Sequence, residues 1–282
     1  MTAGSAMYGM KAGQKTKTRF ITSTDGQRLA YDVSGGGPAI VLLHGGGGNR
    51  REWHDAGYVE RLQGEFTVIS VDLRGHGESS LPTHPADYTI DKMSQDILAA
   101  ADACGAGRFS LWGMSFGGKV GRYLAAQTDR LANAVLMGTP LGPGVTGQLR
   151  QEAIDFCAHW PPIIQAQQAG ALDPASLSPA DQQALHNLNL PAMLGWVRAM
   201  LDWPAVEPGD FRCPVLWLIG SQDRHAMDSL AQYRQALPGS RVQALVLAGL
   251  DHEQVFEQIE QVFDAMLAFT RSEPAATPHP AG

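Results

Sequence analysis

Little in this chain of 282 residues is charged, and still less is cysteine. Only 17% of the residues are Asp, Glu, Lys or Arg while 44% are hydrophobic, so the charge excess that keeps segments unfolded is missing and a large core is expected. The three cysteines, Cys104, Cys157 and Cys213, are odd in number and show no Cys-x-x-Cys spacing. That excludes a disulfide framework and a zinc knuckle and leaves buried thiols. Basic residues are outnumbered, 21 against 28 acidic, so no phosphate-neutralising surface and no nucleic-acid partner are expected. Long apolar runs are absent too. Ala39–Leu43 and Val215–Ile219 stop at five residues, against the ~20 needed to cross a bilayer, so no membrane span is expected. Residues 1–16 lack the apolar stretch of a secretory signal and are expected to form a mobile leader, which points to a cytoplasmic location. Ser272–Gly282, with Pro274, Pro278 and Pro280 among small residues, is expected to be an unstructured tail.

What is present alternates. Arg19–Thr24 and Arg28–Val33 flank Asp25-Gly26, a hairpin signal. Short apolar runs follow at Ala39–Leu43, Thr67–Asp72, Phe109–Trp112, Ala134–Met137, Val215–Ile219 and Ala244–Leu247. Their continuous apolarity fits strands buried on both faces of a parallel sheet. Helical periodicity falls between them at Glu52–Gln63, Ile90–Ala103, Gly117–Thr128, Ser229–Leu237 and His252–Phe269. The alternation breaks once, from Leu141 to Arg212, where helical patches are punctuated by Pro161, Pro162, Pro174, Pro179, Pro191 and Pro204.

Gly113-Met114-Ser115-Phe116-Gly117 ends one of those strands and opens a helix. A strand turning sharply into a helix strains its apex residue and leaves no room for Cβ atoms at the flanks, which is why glycines belong there. Ser115 is thereby the candidate nucleophile, lifted out of the sheet edge at a helix N-terminus whose dipole favours developing negative charge. A serine hydroxyl needs a base, and the base needs a carboxylate to fix its tautomer. Asp223, just past the strand Val215–Ile219, is the candidate acid; His252, just past Ala244–Leu247, is the candidate base. Asp228, Asp251 and His225 compete for these roles but sit less well in chain order or reach. His44-Gly45-Gly46-Gly47-Gly48 ends the strand Ala39–Leu43, and the amide of Gly46 with that of Phe116 forms the candidate oxyanion hole. No Gly-Lys-Ser/Thr ending and no Gly-x-Gly-x-x-Gly run with an acidic ribose ligand accompanies these glycines, so a nucleotide cradle is disfavoured.

Together with Asp72-Leu73-Arg74-Gly75-His76-Gly77-Glu78-Ser79 and Gly220-Ser221-Gln222-Asp223, these motifs resemble the α/β-hydrolase fold family over about Arg19 to Phe269. The resemblance implies a mostly parallel, eight-stranded sheet flanked by helices, with a helical cap inserted after strand 6. The core would be residues 17–140 and 213–271 and the cap 141–212. It also implies that Arg74 and His76 are scaffold. Members with an aspartate nucleophile are disfavoured because position 115 is serine.

The chemistry expected is acyl transfer to Ser115 with no metal or organic cofactor, the substrate being a small-molecule carboxylic ester. Lactones, including acyl-homoserine lactones, are the runner-up; a C–C hydrolase, an aminopeptidase, or a ligand-sensing receptor on the same scaffold follow. Trp160, Met193, Trp196, Met200 and Trp203 are candidates for an apolar ceiling over the site. Seven acidic residues against Arg150, Arg198 and Arg212 in the cap argue against a strongly anionic substrate.

Overall fold

The computed structural model describes residues 16–272. The expected leader and tail lie outside the described residues, apart from Thr16 and Ser272. Eight strands, β1 (Arg19–Thr22), β2 (Arg28–Gly35), β3 (Ala39–Leu43), β4 (Thr67–Val71), β5 (Phe109–Met114), β6 (Leu131–Met137), β7 (Val215–Gly220) and β8 (Val242–Leu247), form one sheet. Their order is β1-β2-β4-β3-β5-β6-β7-β8. β2 runs antiparallel to both β1 and β4, and every later pairing is parallel. The register aligns Leu43 with Gly113, Met114 with Met137 and Gly220 with Leu247. The loops after β3, β5, β6, β7 and β8 therefore leave one edge side by side, where sites of open α/β sheets form.

Alternation along the strands splits the core into two layers. Val41, Leu43 and Leu111 face the layer built with Met93 and Ile97 of α3 (Ile90–Ala103) and Val120 and Leu124 of α4 (Ser115–Gln127). Ile40, Leu42 and Trp112 face the other, with Trp53, Tyr58 and, from the C-terminal helix, Phe263 and Met266. The single helix expected at Glu52–Gln63 is two, α1 (Arg51–Asp55) and α2 (Tyr58–Leu62). Gly57, at φ 83°, sits between them and turns the chain in the left-handed region, which ends a helix.

The segment after β6 contains α5 (Gly147–Gln168), α6 (Pro179–Asn187) and α7 (Leu190–Met200), rooted by one antiparallel bridge between Gly142 and Val206. Contrary to the punctuation read from the sequence, α5 runs straight through Pro161-Pro162. Pro161 cannot donate to the carbonyl of Cys157, and Arg198 of α7 donates its Nη2 to that oxygen instead, at 3.4 Å.

The roots of this segment are held by the buried face of α4. Arg122, fully buried, donates Nη1 to the carbonyl of Pro140 and Nη2 to that of Pro143 at 2.7 Å. Lys119 donates Nζ to the carbonyl of Gly144 at 3.2 Å, and Tyr123 donates its hydroxyl to the carbonyl of Pro204. Carbonyls satisfy donors without neutralising charge. Burial, reinforced by the neighbouring Arg122 charge and only partly opposed by Asp223, pushes the Lys119 ammonium down to about 7. A folded-state value below the unfolded one means that the unfolded chain binds the extra proton between about pH 7 and the ordinary lysine range. Stability should therefore rise with pH across that window. Measured by urea denaturation at pH 7 to 10, wild type should gain stability relative to Lys119→Met; a pH-independent difference between the two would show Lys119 to be untitrated in the fold.

Candidate active site

The strand-to-helix turn places Ser115 at φ 50°, and it is the one non-glycine residue with positive φ among the described residues. The flanking glycines have a direct steric reason. A Cβ on Gly113 would lie 2.7 Å from the carbonyl oxygen of Gly117, and one on Gly117 would overlap the carbonyls of Leu43 and His44. Gly117 uses that closeness to donate its amide to His44 O at 3.0 Å. Thr139 Oγ1 donates to Ser115 O at 2.9 Å from the other side. The turn is thus tied to β3 and to the chain leaving β6, the two neighbours of β5.

The three predicted side chains meet. His252 Nε2 is 2.9 Å from Ser115 Oγ, and His252 Nδ1 is 2.8 Å from Asp223 Oδ2. Asp223 is 3% exposed, and its Oδ1 accepts the amide of Ala226 at 3.1 Å, capping α8 (Arg224–Tyr233). That cap explains why α8 begins at Arg224 instead of the expected Ser229: the acid itself starts the helix. Burial pushes the Asp223 carboxyl up, but its hydrogen bond and charge interaction with His252, with the Ala226 amide, outweigh burial and hold it below the usual carboxylate range. An Nδ1 bound to this carboxylate leaves Nε2 as the acceptor facing the serine hydroxyl.

The competing residues are placed elsewhere. Asp251 accepts the amide of Gln254 at 2.9 Å, at the start of α9 (Gln254–Glu257), the first of two pieces into which the expected His252–Phe269 helix divides. The second is α10 (Ile259–Arg271). Asp228 is exposed, and with His225 it borders a cleft of about 170 Å³ between α8 and the start of α5. Arg74 is enclosed by Asp96, Asp25 and the carbonyl of Asp87. His44 accepts the amide of Leu73 at 3.1 Å, and His76 Nδ1 lies 3.1 Å from Arg74 O; burial pushes these imidazoles down to about 4 and about 3. Both rings are neutral and wedge the loops after β3 and β4 together.

Phe116 is the second residue of α4, where no helix carbonyl is available to its amide. The glycine loop lies against it: a Cβ on Gly45 would be 3.8 Å from Ser115 Cβ, and one on Gly46 3.5 Å from Phe116 Cβ. Of the five candidate ceiling residues, two reach this region. Trp196 packs on Phe116 with ring centroids 4.7 Å apart, and Trp203 stacks on it at 5.9 Å. Trp160 instead joins Ile164 and Leu190 in a separate cluster within the helical segment. Met200 is buried in the main core and Met193 packs against it. Gly138 and Thr139 were not singled out in the sequence. Gly138, at φ 55°, passes so close that a Cβ would be 3.1 Å from His252 Nδ1. The signal for it was the Gly-Thr-Pro run directly after β6.

Among the described residues no group of three or more His, Cys, Asp or Glu is arranged to hold a metal ion, and no helix is long and apolar enough to cross a membrane.

Comparison with known proteins agrees with this architecture. Residues 38–160 match the sequence model of the alpha/beta hydrolase fold. A thermophilic esterase from Thermogutta terrifontis is 26% identical, with a TM-score of 0.70 over 90% of this chain and 98% of that one. A hydrolase from Pseudomonas aeruginosa is 25% identical, with a TM-score of 0.68 over 93% of this chain and all of that one. An uncharacterized protein of Mycobacterium tuberculosis is 36% identical over 115 residues, 40% of this chain; the chain thus spans about a third, 32%, of that relative's length. The chain has the α/β-hydrolase fold, with the eight-stranded, mostly parallel sheet expected from its sequence, and residues 38–160 carry the sequence pattern of that family.

Gly117→Ala should cost about 1–3 kcal/mol through overpacking against β3. The unfolding midpoint in urea reads it, and an unchanged midpoint would mean that the contact between α4 and β3 is slack.

Proposed function

We propose that this chain is a serine hydrolase that cleaves carboxylic esters through an acyl-enzyme, with Ser115 as nucleophile, His252 as general base and acid, and Asp223 as the group that orients the imidazole. The observation that carries this reading is the unbroken relay from Asp223 Oδ2 through His252 to Ser115 Oγ, with links of 2.8 and 2.9 Å. As Ser115 Oγ attacks the ester carbonyl, its proton passes to His252 Nε2, and the imidazolium formed is stabilised by the Asp223 carboxylate. The carbonyl oxygen becomes an oxyanion that the amides of Phe116 and Gly46 receive. Collapse expels the alkoxide, which takes the proton from His252. Water then repeats the cycle on the acyl-enzyme, with His252 again removing a proton, and releases the acid.

The side-chain relay and oxyanion donors supply the whole cycle as written. The likeness to the Thermogutta esterase supports an ester substrate. Residues 141–212 are read as the cap over the site, and the mostly acidic charge there favours a neutral small-molecule ester.

Ser115→Ala should abolish multiple turnover of p-nitrophenyl butyrate while the melting temperature stays near that of wild type. Asp223→Asn should lower kcat by about 10⁴-fold through loss of the correct imidazole tautomer. Release of p-nitrophenol by Ser115→Ala at the wild-type rate would rule the mechanism out. A single stoichiometric burst from wild type, with no second turnover, would instead favour a ligand-binding role.

A further inference from the structure

We propose that Trp196 limits the acyl group to short chains; this rests on the reading of Ser115 as the acyl acceptor. The exit of the alcohol fixes the direction of the acyl chain. An alkoxide that collects its proton from His252 leaves on the side of that ring, and His252 lies against Gly138, on the β6 side of Ser115. The acyl substituent, on the other side of the carbonyl carbon, is directed toward the loop after β3. There the indole of Trp196 closes the space: its Cη2 comes within 3.2 Å of where a Cβ on Gly46 would sit, and Leu188 Cδ2 within 3.9 Å of one on Gly47.

The indole cannot retreat. Trp196 is 5% exposed and packs on Phe116 and on the adjacent His76, at 4.7 and 5.5 Å between ring centroids. The residue before it, Gly195, meets Tyr88 and Thr83 so closely that a Cβ would lie 2.8 Å from Tyr88 Cε2 and 3.0 Å from Thr83 O. α7 is therefore as near to the Thr83–Tyr88 segment as a backbone can come. Beyond its C-terminal end, Trp203 Nε1 donates to Tyr88 O at 3.0 Å. A buried aromatic ring packed on two others and carried by a helix that cannot shift is a fixed wall, and each methylene pressed against such a wall lowers kcat/KM by roughly tenfold or more. Trp196 is thus a specificity-determining residue, and acetyl to butyryl esters are the substrates that fit.

The test is the series of p-nitrophenyl acetate, butyrate, octanoate and decanoate with wild type, Trp196→Ala and Trp196→Phe, each checked for folding by its melting temperature. Wild type should prefer butyrate to octanoate by at least about tenfold in kcat/KM, and Trp196→Ala should shrink that ratio by about tenfold or more, chiefly by gaining on octanoate. Trp196→Phe, the smaller ring, should fall between. Equal loss on all chain lengths, or a wild type as fast on decanoate as on butyrate, would overturn the assignment. Calorimetry with the product acids separates this from the ester reading: octanoate should bind Ser115→Ala/Trp196→Ala at least about tenfold more tightly than Ser115→Ala alone. If no ester is turned over and that difference in octanoate binding still appears, the ester reading falls and Trp196 keeps its role; if turnover is normal and the difference is missing, the reverse holds.

Discussion

One close approach governs the site: the first turn of α4 lies directly against the carbonyls that end β3. It is possible only because Gly117 has no Cβ, and the bare Gly113 lets the same turn lie against β5, so that Ser115 is held at φ 50°. Such a conformation costs about 1–3 kcal/mol and persists only where its surroundings overdetermine it. Here they do, through the Gly117 amide on His44 and the Thr139 hydroxyl on the Ser115 carbonyl. The same approach that lifts Ser115 toward His252 also brings the free amide of Phe116 beside the glycine loop. The positions of the Ser115 hydroxyl and the Phe116 amide are therefore consequences of a single packing contact.

The helix that begins at this contact has a second task along its buried face. Lys119, Arg122 and Tyr123 grip the carbonyls at both roots of the inserted helical segment. A neutral hydrogen-bonding residue would serve the same carbonyls with a smaller desolvation cost, and the depressed proton affinity of Lys119 is the visible trace of that cost. The helix presenting Ser115 is thus also the one to which both ends of the inserted helical segment are bound. α7 is then fixed against the Thr83–Tyr88 segment by the bare face of Gly195, and this sets the height of Trp196 above Gly46.

Much of this was legible in advance, and the exceptions have physical reasons. The six later strands were visible as short apolar runs, the first two as a hairpin around Asp25-Gly26, and the elbow because a strained turn demands glycine at fixed places. Ser115, Asp223 and His252 could be named because each follows a strand end in an order that chain direction and register impose. Gly57 split a helix whose apolar spacing continues across it. Pro161-Pro162 failed to split one, because Arg198, distant in sequence, occupies the carbonyl that proline leaves vacant. The start of α8 was misjudged because the residue capping it was read as chemistry alone. Trp160 and Trp196 share the same composition and helical context, yet one packs within the inserted helices and the other over the glycine loop.

The sequence by itself determined the class of fold, the strand order's raw material, and which three side chains could form a relay, because periodicity and glycine placement are local demands on the backbone. Tertiary structure alone decided the 2.9 Å between Ser115 and His252, the grip of α4 on the helical insertion, and which aromatic ring stands over Gly46. Those depend on how far apart elements come to rest, and that distance is set by packing among residues remote in the chain, whose partners no local pattern names.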